Sequence, residues 1–129
     1  PILEIETVAD QIDYLMKMGD YADDIIEMER ENTGNQGNIE MQNLMNAWER
    51  GDEQALMKYF IDVDENYPKM QQLMQQLIDE RNIKMTKKIE EYLATDKTYF
   101  VVVGAGHPIG ENGIINLLKK TNKYKIERK

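Results

Sequence analysis

Between Tyr99 and Lys120 the chain reads YFVVVGAGHPIGENGIINLLKK. A run of β-branched and aromatic residues meets a glycine-rich loop, and a helix pattern follows over roughly 112–120. This order predicts a buried strand, a tight loop and a helix that folds back over the strand. The chain then closes on KYKIER, a second extended pattern. A short strand–helix–strand unit of this kind should be a right-handed crossover between parallel strands. ILEIE (Ile2 to Glu6) alternates as a third strand does. The expected fold is therefore α/β (α+β): a small, mainly parallel sheet of about three strands under a helical layer. The helices outweigh the sheet, so the sheet reads as incomplete.

The helices announce themselves locally. Thr7 opens TVAD, a Thr-x-x-acid pattern resembling a capping box, and Val8, Ile12, Leu15 and Met16 recur behind it at helical spacing up to Gly19. Asp20 can cap a second helix with Tyr21, Ile25 and Met28 inward. ENTGNQGN (Glu31 to Asn38) reads as a flexible loop. Helical spacing resumes at Met41, Leu44, Met45 and Trp48 and stops at Gly51; DEQALMKYF gives another short helix. Pro68 suits the first turn of a long helix that reaches about Ala94. With 129 residues this is one domain, 1–129, carrying a helical insertion over 20–67. The nine methionines fall mostly at inward helical positions, where Met fills irregular gaps.

Composition removes several classes of function. The net charge of −8 argues against binding a phosphate backbone, so no nucleic-acid partner is expected. The charge is uneven, because the residues from Lys119 onward carry six Lys/Arg and one Glu, which reads as a solvated end. There is no cysteine, hence no disulfide or thiol chemistry. No apolar run approaches membrane-spanning length, and no signal peptide is visible. The first residue is Pro1, directly ahead of a strand pattern, which reads as a processed end or a piece of a longer protein.

Two motifs invite wrong readings. Gly104, Gly106 and Gly110 lie between a strand and a helix, with Glu127 placed where a ribose-binding acid would be. Pro108, however, removes an N–H from a loop that would have to donate to pyrophosphate, and His107 puts a bulky ring in the path of the ligand. DVDEN (Asp62 to Asn66) begins like a calcium loop, but Tyr67 replaces the required glycine and Leu73 the required glutamate. A helix-connecting turn fits it better.

Three sites remain. His107, the single histidine, follows a fully apolar strand at the carboxyl end of a sheet, where open α/β folds place ligands. Spacing leaves it open as ligand or as structural residue. Arg81 falls on the apolar stripe Met70, Met74, Leu77, Met85, Ile89. A buried guanidinium needs a carboxylate, or the helix must break its pattern there. Glu6 is the first candidate partner and Glu80 the second. The pair is either a structural tie or part of an active site. Glu6 ends ILEIE on the same expected edge as His107, and capping the next helix competes for it.

The segments LEIETVADQIDYL, AWERGDEQAL, LIDERNIKMTKKIEEYL and YFVVVGAGHPIGENGIINLLKK, in this order, resemble the C-terminal half of the TraB/PrgY/GumN family. That family includes the TIKI metalloproteases, which cleave Wnt proteins, and bacterial proteins that shut down peptide pheromones. It is marked by two Gly-x-x-His motifs with glutamate and arginine positions. Gly104-Ala105-Gly106-His107 matches the second motif, and Glu6, Glu80 and Arg81 match the acid and arginine positions. The first motif is absent. The resemblance implies a divalent-metal-dependent peptidase, with Mn, Co or Zn in the complete protein, His107 and Glu6 toward the metal, and Glu6, Glu80 and Arg81 in catalysis. It implies a peptide or protein substrate and an extracytoplasmic or membrane-associated location. It also implies an N-terminal half outside this chain, so that the piece alone is expected to be metal-free, inactive and self-associating. The alternative is a non-catalytic module that sequesters a peptide.

Overall fold

The computed structural model describes residues 2–31, 35–61 and 68–128. The elements run α1 (Val8–Gly19), α2 (Ala22–Glu31), α3 (Asn35–Arg50), α4 (Glu53–Ile61), α5 (Pro68–Gln75), a π-helical turn (Gln76–Glu80), α6 (Arg81–Leu93) and α7 (Ile114–Lys120). Several starts and stops follow from local chemistry. The Thr7 hydroxyl accepts from the Asp10 N–H while the Asp10 carboxylate accepts from the Thr7 N–H, a complete capping box. Pro68 opens α5, where its missing N–H costs nothing. Asn122, with φ 56°, lets the chain leave α7 through the left-handed region.

The expected sheet is not there. The fold is all-helical, and among the described residues no strand forms. The three segments that were to be strands take no regular structure, ILEIE bending at Ile5 and Glu6, and no backbone ladder joins them. Each instead hangs by side chains from the helices. Ile5, Val103, Tyr124 and Ile126 pack on a core made by Met85, Ile89, Ile114 and Leu118. The Tyr92 hydroxyl donates to the Glu4 carbonyl at 2.7 Å, and the Tyr124 hydroxyl to Glu90 Oε1 at 3.2 Å. β-propensity describes fit to a half-buried pleated surface, and an extended segment becomes a strand only when another lies within hydrogen-bonding reach. Parallel strands and their crossover are corrected with the sheet.

The inward faces also differ from the pattern in two helices. Val8, Ile12, Leu15 and Met16 of α1 are all exposed, and Tyr14 is the residue that is buried. In α3, Ala47 is buried and Leu44 half-buried, whereas Met41, Met45 and Trp48 face out. Met70 and Met85 do fill the core, but Met16, Met18, Met41 and Met45 do not. Of the segment read as loop, Glu31 ends α2 and Asn35–Asn38 form the first turn of α3; residues 32–34 and DVDEN lie outside the described residues. Among the described residues no helix is long and apolar enough to cross a membrane.

Candidate functional site

The long helix from Pro68 to Leu93 is continuous but not regular. Met70 and Leu73 are buried ahead of the π turn; Asn82, Met85, Thr86 and Ile89 are buried after it. The π turn uses one residue more than an α turn, so the buried face resumes at residue 82 rather than 81. Arg81 is thereby rotated to the edge of the core and Asn82 takes the fully buried place.

From that edge Arg81 meets Glu6 in a bidentate pair. Nε donates to Oε1 at 2.8 Å and Nη2 to Oε2 at 2.6 Å. The geometry is the planar fork that guanidinium and carboxylate share. The guanidinium carbon lies 5.1 Å from the centre of the Tyr14 ring, and Lys84 Nζ donates to the Tyr14 hydroxyl at 3.2 Å. Hydrogen bonding to Glu6 pushes the Arg81 pKa upward, so the guanidinium keeps its charge. Thr7 and Asp10 cap α1 between them, which frees Glu6 from the capping role that competed for it.

His107 is held by a loop that closes on itself. Its N–H donates to the Gly104 carbonyl at 3.0 Å, and its own carbonyl accepts from the Ile114 N–H at 2.8 Å. Gly113 must lack a side chain there, because a Cβ would run into the Ile109 carbonyl. His107 is only 8% exposed and its Nδ1 lies 2.7 Å from Asn82 Oδ1. Asn82 in turn donates from Nδ2 to the Asn112 carbonyl at 2.9 Å, and Asn112 donates from its side chain to Asp79 Oδ2 at 2.8 Å. Burial, with Arg81 adding to it, lowers the His107 pKa below its ordinary 6.5, so the ring is neutral at pH 7.

Glu6, Arg81 and His107 line one cleft of about 740 Å³ together with residues 98–104. Phe100 is 94% exposed above it. Three residues separated by long stretches of chain are thus brought to one place. Glu80 is not among them: it is exposed and lines a smaller groove of about 420 Å³ with Gln72, Gln76, Asp79, Ile83 and Asn112. Sequence reasoning missed Asn82 and Asn112. Asn82 stood in the ERN tripeptide beside Arg81, and a helix of constant period places the arginine, not the asparagine, on the core stripe.

The donors present do not close around a cation. His107 offers one nitrogen, and both Glu6 oxygens are committed to Arg81. Among the described residues no cluster of three His, Cys, Asp or Glu could hold a metal ion. A catalytic zinc takes three protein ligands.

Comparison with known proteins points one way. The sequence model described as TraB/PrgY/gumN family matches residues 1–128. A protein of Amphimedon queenslandica called Metalloprotease TIKI homolog is 36% identical over 58 residues, which is 43% of this chain and 11% of that protein. The match therefore spans a small part of that relative's length. No solved structure matches.

Proposed function

The chain belongs to the TraB/PrgY/gumN family, and from that premise we propose that it carries the His107 side of a metal-dependent peptidase centre whose other ligands lie outside the described residues. One observation carries this reading: His107, Glu6 and Arg81 line a single cleft with the apolar residues 100–103. The cleft would take a peptide along residues 98–104, with its cleavable bond toward His107. The ionic pair of Glu6 and Arg81 forms a charged wall beside the ring and orients the polar backbone of the peptide. Glu6 rather than Glu80 is the carboxylate assigned to this cleft. The divalent metal is proposed from the resemblance and from the relative named a metalloprotease. No step through it follows from the donors described, since they fit one ligand and not a site. An extracytoplasmic or membrane-associated place for the whole protein is proposed on the same family grounds.

A second reading has its own observation. Both carboxylate oxygens of Glu6 already accept from Arg81, which ties the carboxylate to a structural ion pair. That favours a module that binds and sequesters a peptide without cutting it. Peptide cleavage assayed with and without Mn²⁺, Co²⁺ and Zn²⁺, on this chain and on the longest natural protein containing it, separates the two. Metal-dependent cleavage abolished by His107→Ala supports the peptidase. Saturable peptide binding with no cleavage under any metal supports the second reading and overturns the first.

A further inference from the structure

We propose that Asn82 is a positioning residue that holds His107 as its Nδ1–H tautomer, leaving Nε2 as the bare ring nitrogen offered to the cleft. The inference follows from what each partner can and cannot donate. The Asn112 carbonyl only accepts, so the NH₂ end of the Asn82 amide must be the end that faces it at 2.9 Å. This settles the orientation of the amide and turns its carbonyl oxygen to His107 Nδ1 at 2.7 Å. A carbonyl oxygen cannot donate, so the proton of that hydrogen bond belongs to Nδ1. A neutral imidazole has one N–H, and the Asn82 oxygen holds it at Nδ1. Nε2 therefore carries the lone pair. It has no hydrogen-bond partner among the described residues, it is not sealed from solvent, and the ring lines the cleft.

Both ends of the device are immobilised. Asn82 is 0% exposed on the rigid face of α6, so no water can compensate a turned amide. Asn112 is tied by its side chain to Asp79 in the π turn, one face of the helix thus gripping the loop at two points. The opposite tautomer would set two lone pairs against each other at the same short separation and leave a buried acceptor without a donor. A histidine whose second nitrogen is pinned in this way presents the first as a directed electron-pair donor, for a cation or for a proton. The tautomer is a property of this chain and stands apart from any peptidase activity.

The single histidine makes the test direct. Long-range ¹H–¹⁵N correlation of the imidazole in ¹⁵N-labelled protein near neutral pH yields one ring pattern. The expected spectrum has a protonated Nδ1 and an unprotonated Nε2 in one tautomer. An Nε2–H ring, or an averaged mixture, overturns the inference in the unmodified chain without any variant. Asn82→Ala should convert the pure tautomer into a mixture, and Asn82→Asp, which keeps the acceptor toward Nδ1, should keep Nδ1 protonated. Native methyl signals from Ile114 and Leu118 report that a variant is folded. A folded Asn82→Ala chain that keeps the Nδ1–H form in full would overturn the role of Asn82. So would an unprotonated Nδ1 in folded Asn82→Asp. If the alanine variant does not fold, the wild-type and Asn82→Asp spectra decide.

Discussion

The α6–α7 region and α1 make an instructive contrast, since both carry an apolar stripe at helical spacing and only one of the two stripes is buried. Around α6 and α7, Met85, Ile89, Ile114 and Leu118 are buried together, and Arg81, Asn82 and His107 at their edge are each paired. In α1 the apolar stripe Val8, Ile12, Leu15, Met16 faces solvent, and the helix is seated by the other side. That side is Tyr14, whose ring lies under Arg81 and Lys84, with Asp10 accepting from Lys84 at 3.5 Å. An amphipathic pattern shows that a helix has a face to bury. Which face is buried in a given chain depends on which contacts are within reach, and for α1 these are polar.

The contrast can be broken most severely in the core. Met85→Ala should cost about 3 kcal/mol, as large-to-small changes at buried sites do. Urea unfolding reads this directly, and a loss under about 1 kcal/mol would mean that the core around α6 collapses freely, unlike a packed interior. Arg81→Met comes next. It leaves the Glu6 carboxylate, whose side chain is 10% exposed, without its partner. Because Arg81 itself is partly exposed, the expected cost is about 2 kcal/mol, below that of breaking a fully buried pair. An unchanged melting temperature would show that the pair does not hold residues 2–6 to α6.

A smaller effect separates the regions by pH. The folded-state pKa of His107 is below the 6.5 of an unfolded chain. Between those two values the unfolded state binds more protons, so stability is complete above pH 6.5 and falls as the pH drops toward the folded pKa. The slope from this one group cannot exceed about 1.4 kcal/mol per pH unit. His107→Gln should flatten the stability profile just below pH 6.5, whereas changes in α1 should leave it alone. An identical profile in the glutamine variant would place the responsible group elsewhere.

The smallest energetic effect is expected on the exposed side of the comparison. Ile12→Ser and Leu15→Ser should each alter unfolding free energy by less than about 0.5 kcal/mol, since both side chains already sit in water. Their effect should appear in association. An exposed apolar stripe of this kind drives self-association, so sedimentation of the chain should shift toward monomer in the double variant. A sedimentation profile that the two serines leave unchanged would show that α1 is not the adhesive face.

What the amino-acid sequence determined by itself was local. The Thr7–Asp10 capping box, the start of a helix at Pro68 and its end near Ala94 are contacts within one turn of chain, dictated by residue type. The need of Arg81 for a carboxylate was legible as well, with Glu6 named first, because a guanidinium on an apolar stripe has few other ways to be satisfied. So was the loop that offers His107. The tertiary structure alone decided the rest. It decided that ILEIE, TYFVVVG and KYKIER form no ladder, because a ladder depends on a second backbone being near and not on propensity. It decided that α1 turns Tyr14 inward. And it decided, through one π turn between Gln76 and Glu80, that Asn82 and not Arg81 enters the core and reaches His107. A shift of one residue in helical register leaves no mark on composition or spacing, since it is chosen by the partners that the helix meets across the fold.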